Sequence, residues 1–286
     1  MKPIAKILVP VTGAQSDTVA LATAFCAARP FNAHVEAVLA HPDPQAAVPQ
    51  VGVPFSLDVV EAIVRGQEEY ARAAETATRG RLAELCGETG ARLVEAPECA
   101  DRVTCSLRND RGALAAIVPY RARLGDLVVF PPMPCSIDET EAFLNVLTGA
   151  ERPVLVSSDA PSGRLARSVA IGWDGSRPAA RAVSAALPFL RGAERVHVIE
   201  VHRGRSPLCD DGIERYLDLH GVRCTRHKAS LDAPSVGDML AEEAACHDAD
   251  LLVMGGYGHS HLRETFFGGV TSDVLARARM PVFLAH

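Results

Sequence analysis

The sequence of 286 residues has no C-x-x-C pair: its eight cysteines (Cys26, Cys86, Cys99, Cys105, Cys135, Cys209, Cys224 and Cys246) are scattered, which excludes a zinc ribbon and a thioredoxin-type redox motif. Reduced, buried thiols are the expectation. Aromatic residues are scarce, at 5%, and the formal charge of -6 is acidic, so neither a stacking platform nor a cationic footprint for nucleic acid is present. DNA and RNA are therefore not expected partners. Long apolar runs are also missing. The opening MKPIAKILVPVTG reaches Thr12 and Gly13 after a run too short for a signal-peptide core or a membrane span, so a cytoplasmic protein with no membrane contact is expected. There is no low-complexity tract or long run of like charge, and hence no case for extensive disorder.

A hydrophobic content of 48% with 22% charged residues suits a globular protein, and the length suits two domains, each able to bury its own core. Apolar runs and helical patterns alternate along the chain. Ile7 to Val11 reads as a buried strand, Gln15 to Arg29 as a helix, Ala33 to Ala40 as a strand, and Ser56 as the cap of a long helix toward Gly90. Gly66, Gly80 and Gly87 weaken that helix, so a bend in it is expected. Cys105 to Leu107 reads as a strand, Leu114 to Tyr120 as a helix, Asp126 to Phe130 as a strand, Ala142 to Leu147 as helical, and Arg152 to Val156 as a fifth strand. After a linker, Ser157 to Gly163, the pattern restarts. Its strands are Val169 to Trp173, Val196 to Val201, Val222 to Lys228, Leu251 to Met254 and Pro281 to Ala285, and its helices are Pro178 to Leu190, Ile213 to Leu219, Val236 to Cys246 and one opening at Val270.

The two halves repeat each other in their residues: KILVPVTG at Lys6 matches SVAIGWDG at Ser168, DLVVFPPM at Asp126 matches DLLVMGGY at Asp250, and RPVLVS matches MPVFLA. This predicts domains over 1–159 and 160–286, each an α/β doubly wound parallel sheet with helices on both faces. The final strands of the two copies are expected to pair and to build an internal pseudo-dimer about a pseudo-twofold axis, since each would otherwise leave an open sheet edge. A homodimer of whole chains through other surfaces is left open.

The second copy carries the chemistry. Gly255, Gly256 and Gly258 end a strand, and Gly268-Gly269-Val270-Thr271 opens a helix. Glycines ahead of a helix N-terminus offer unpaired N-H groups and partial positive charge to an anion such as phosphate; the alternative is a plain turn. The first copy is four residues shorter at this point and holds Pro131, Pro132 and Pro134, which lack that N-H. Asp174 ends the second copy's first strand, where open α/β sheets contact ligands; it could equally cap the next helix. Gly258-His259-Ser260 lacks the later glycine of a hydrolase nucleophile elbow, Leu262 standing there instead. His259 and His261, with His202 and His227 in reach, lack a carboxylate or cysteine at metal-site spacing, so no metal site and no catalytic residue is expected. His259 and Arg263 can instead place positive charge beside an anion.

The tandem β-α pattern, the Val-x-x-x-x-Asp-Gly-Ser opening at Val169 and the Gly-x2-Gly-x9-Gly stretch from Gly255 resemble the universal stress protein family, in its two-domain form. The resemblance implies five-stranded sheets of order 3-2-1-4-5 and a stress-response sensor or regulator that binds ATP or another adenine nucleotide, with Mg as an accompanying ion. It places the nucleotide in the second domain. There Asp174 would meet adenine or ribose and Val201 would frame adenine, while Gly255, Gly258, Gly268, Gly269, Val270 and Thr271 would line the phosphates. Gly172, Trp173, Met254, Tyr257 and His259 would complete the site. Two departures stand out. Gly269 occupies the position where the family usually has Ser or Thr, so restoring a hydroxyl there is expected to strengthen binding if the backbone tolerates a Cβ. Thr12 replaces the strand-end Asp in the first copy, whose site is expected to hold no nucleotide. A slow ATP hydrolase using the same pocket and a nucleotide-free scaffold acting through its interfaces remain alternatives.

Overall fold

The computed structural model describes residues 3–41, 56–132, 136–159, 163–202, 211–230, 235–256 and 269–286. The first half contains β1 (Lys6–Val11), α1 (Asp17–Ala28), β2 (His34–His41), α2 (Leu57–Thr89), β3 (Arg92–Leu93), β4 (Thr104–Arg111), α3 (Leu114–Ala122), β5 (Leu127–Phe130), α4 (Ile137–Leu144) and β6 (Val154–Val156). The second contains β7 (Ser168–Gly172), α5 (Arg177–Leu190), β8 (Arg195–His202), α6 (Gly212–Leu219), β9 (Thr225–Ser230), α7 (Val236–Cys246), β10 (Leu251–Gly255), α8 (Val270–Arg277) and β11 (Val282–Ala285). Helix α2 runs through Gly66, Gly80 and Gly87 as one element. It stops at Gly90, whose φ of +72° places it in the left-handed region and whose N-H donates to the Cys86 carbonyl at 3.0 Å. Helix α4 begins earlier than the apolar pattern suggests, at a capping box in which Ser136 and Glu139 satisfy each other's backbone N-H groups.

All the strands join one sheet of eleven, in the order β3-β4-β2-β1-β5-β6-β11-β10-β7-β8-β9. Within each half the strands are parallel, and the halves meet where β6 and β11 pair antiparallel, with Val156 opposite Val282, Leu155 opposite Phe283 and Val154 opposite Leu284. The expected pairing of the final strands is thus present, and it joins the two sheets into one. One difference from the expected architecture is an extra edge strand in the first half, β3, two residues long and exposed.

The seam is part of the core. One apolar cluster lies on the sheet face covered by α1, α2, α5 and α6, the other on the face covered by α3, α4, α7 and α8, and each draws residues from both halves. At the seam Phe31 of the first half meets Phe189 edge-on at 5.3 Å between ring centroids, and Phe189 meets Phe283 at 6.1 Å. Leu155 and Phe283 are buried. Antiparallel pairing at the seam also sends the C-terminal strand ends of the two halves toward opposite ends of the sheet. Among the described residues, no helix is long and apolar enough to cross a membrane.

Candidate functional site

In the second half β7 lies between β8 and β10, so the chain leaves β7 toward one side and returns on the other. Such a reversal is where open α/β sheets usually place a ligand crevice, beyond the C-terminal strand ends. Gly172 is the last residue of β7, and the Trp173 N-H then donates to the Ile199 carbonyl at 2.9 Å, holding the exit of β7 against β8. Asp174 is exposed and accepts from the Ser176 N-H at 2.9 Å, an Asx turn that leads into α5. The helix cap itself is Ser176, which accepts from the Ala179 N-H at 3.3 Å. The Asp174 carboxylate thus shapes the turn without capping the helix. Val201 and Met254 flank the crevice from β8 and β10 and pack on the cluster beneath α7.

The glycines divide into two kinds. A Cβ on Gly255 would stand 2.6 Å from the Ala179 nitrogen and 2.8 Å from Pro178, so this glycine lets the start of α5 close onto β10. Its missing Cβ serves this packing. Gly256 faces the seam: its N-H donates to the Ala285 carbonyl at 2.8 Å, and a Cβ would stand 3.0 Å from Leu147 of the first half. Gly269 is different. It caps α8 with φ +134° and ψ 163°, a region reserved almost wholly for glycine, and no described atom lies within 4 Å of where its Cβ would be. The condition on which a hydroxyl was expected to help, a backbone that tolerates a Cβ, is not met at this φ. Val270 is exposed and Thr271 is buried in the first turn of α8.

Helix α8 is held firmly in place. A Cβ on Gly237 would meet the Val270 carbonyl at 2.7 Å, so α7 and α8 touch backbone to backbone, and Arg277 pairs with the buried Asp238 at 2.7 Å. Tyr257, Gly258, His259 and Gly268, with Ser260, His261 and Arg263, lie outside the described residues. So does the side chain of His202. His227 sits near the middle of the edge strand β9, two strands away from β7.

In the first half the equivalent turn is covered, and a cavity of about 250 Å³ lies beside it, lined by His41, Glu68, Ala71, Arg72, Glu75 and Arg111. Thr12 and Gly13 occupy the positions of Asp174 and Gly175, and both of their N-H groups donate to the buried Asp17 carboxylate, at 3.0 and 2.7 Å. Helix α2 closes over them: a Cβ on Gly13 would stand 2.6 Å from Ala74, and Arg81 donates to the Gly13 carbonyl at 3.2 Å while lying 3.7 Å from Asp17. Burial lifts the Asp17 carboxyl above its ordinary range, against the pull of those two N-H groups and of Arg81. The sequence pointed to this half through its missing glycines and its Thr12. It gave no sign of Asp17, Ala74 and Arg81, because contacts between α2 and the β1–α1 turn are distant in the chain.

Residues 166–286 match the model of the universal stress protein family, so the resemblance read from the motifs holds for the second half. The whole chain superposes on a universal stress protein from Archaeoglobus fulgidus with a TM-score of 0.68 at 14% identity, covering 98% of this chain and 95% of that one. A protein of unknown function from Pseudomonas aeruginosa PAO1 superposes with a TM-score of 0.55 at 16% identity, covering 99% and 92%. At such identities these matches speak for the fold, and their coverage extends it to both halves. A search of the curated proteins returned no match.

Proposed function

We propose that this protein is a stress-response sensor or regulator that binds one adenine nucleotide per chain, ATP with Mg, in the crevice of its second half. The observation that carries the reading is the contrast between the two crevices. In the first, a buried carboxylate takes the backbone donors of the β1–α1 turn and α2 packs directly on Gly13. In the second, Asp174 is exposed at the strand end and, among the described residues, accepts only from Ser176, and α8 starts at a glycine. Backbone N-H groups at such a helix N-terminus suit a phosphate. A base would lie between Asp174 and Val201, and phosphates would run past Gly258 and Gly268 toward Gly269, Val270 and Thr271. Gly255 is packed too tightly to take part except through its backbone.

The same reading treats 1–159 and 160–286 as two domains of one internal pseudo-dimer in the cytoplasm, with only the second loaded. The test is a calorimetric titration of the full chain with ATP and Mg. One site per chain is expected; two equal sites, or no binding at all, would overturn the proposal.

A further inference from the structure

Three histidines from three separate elements converge on the face of the sheet beneath α7. His197 on β8 and His227 on β9 share that face, His247 caps the C-terminal end of α7, and all three are partly buried. His197 Nδ1 and His227 Nε2 are 3.0 Å apart, and one ring nitrogen from each of the three lies within 4.8 Å of the others. The His247 ring stacks on His197 at 4.6 Å between centroids and lies 3.9 Å from His227. Glu243, one turn earlier on α7, places Oε2 3.8 Å from His247 Nε2.

We propose that His197, His227 and His247 form a binding site for a first-row divalent cation of the zinc type, with Glu243 or water as the fourth ligand. Several observations point the same way. Two tetrahedral ligands held at about 2.0–2.1 Å from zinc stand about 3.3 Å apart, close to the spacing already kept by His197 and His227. Nε2 of His247 is buried without a hydrogen-bond partner, and an unsatisfied nitrogen of that kind calls for an ion or water. The end of α7 contributes the negative pole of its dipole, and Glu243 adds a carboxylate, so the field favours a cation.

Three imidazoles with one open position form the donor set of many zinc sites, and nitrogen ligands also suit Co²⁺, Ni²⁺ and Cu²⁺. Loading requires the stacked rings to fan out about χ2, a soft torsion. The ion would then tie the edge strand β9 to β8 and to the α7–β10 connection. The site is separate from the nucleotide crevice: His197 precedes Val201 by four residues along β8, roughly 13 Å of strand.

The test uses the full chain, stripped with a chelator and titrated with Co²⁺ and then Zn²⁺. We expect one Co²⁺ per chain with the strong visible absorption of a four-coordinate site, displaced by one Zn²⁺. His227→Gln and His247→Gln should each lower Zn²⁺ affinity by more than about 100-fold, beyond the usual 10- to 100-fold cost of losing an outer-shell partner. The double variant His259→Gln/His261→Gln should bind as the wild type does. Undiminished binding in the first two variants, or its loss in the double variant, would overturn the assignment. Should the first two fail to fold, diethyl pyrocarbonate labelling of the wild type decides: Zn²⁺ must protect His197, His227 and His247, and labelling unchanged by Zn²⁺ refutes the site.

Discussion

Leu155→Ala is a substitution in the first half whose consequence should be read in the second. Leu155 is fully buried in β6, directly opposite Phe283 of β11, and belongs to an apolar cluster that continues through Phe189 to Val169 and Ile171. Truncating a buried Leu removes its transfer free energy and leaves a cavity, at a cost of about 2–5 kcal/mol; Phe283→Ala should cost about 3–5 kcal/mol. Trp173, the single tryptophan, follows β7 and packs against that same cluster, so its fluorescence reports on the second half alone. Far-ultraviolet circular dichroism reports on the helices of both. In urea the two signals should fall together in the wild type, and Leu155→Ala should lower both midpoints equally. A Trp173 transition left in place while the dichroism splits into two steps would refute the continuous core. Charged residues at both positions should go further, parting the halves and exposing edges prone to aggregation.

Gly269→Ser should weaken ATP binding, because a side chain at φ +134° strains the turn into α8 by about 1–3 kcal/mol; calorimetry showing a gain would refute the conformational reading. His34 predicts an acid-sensitive fold. It is buried between Thr104 and Ser106 at 2.8 and 2.9 Å, and burial first, then the charge of Lys6, lowers its pKa to about 4 against the opposing Glu36. The unfolded chain takes up this proton near pH 6.5 and the folded one only near 4, so stability is full above pH 6.5 and falls through that window, by about 3 kcal/mol for a group so placed. Urea melts across the range should give a flatter profile for His34→Gln than for the wild type; parallel profiles would remove His34 from the account.

Much of the fold was legible in the sequence, since a buried parallel strand followed by an amphipathic helix leaves a local pattern, and duplication wrote it twice. The misses are also physical. Arg92 and Leu93 are exposed and too few for any periodicity, so β3 was invisible. Val222 looks like the start of a strand, but its N-H bonds back to Leu217 and its side chain is buried in the turn after α6, delaying β9 to Thr225. At the site, the strand ends and the opening of α8 were readable from glycine spacing. The identity of what each glycine accommodates was not: Gly255 answers to Pro178 and Ala179, and Gly269 to its own dihedral angles. The histidine cluster was missed for the same reason, since its three members come from strands and a helix far apart in the chain and show no ligand spacing.

Photo-crosslinking locates the nucleotide. The full chain would be irradiated with an azido-adenine analogue of ATP, digested, and its labelled peptides identified by mass spectrometry, with unlabelled ATP as competitor. The account predicts competed labelling in peptides containing 172–174, 201 or 254–271. Competed labelling around Thr12, Gly13 and Asp17, where α2 packs on the first half's turn, would contradict it.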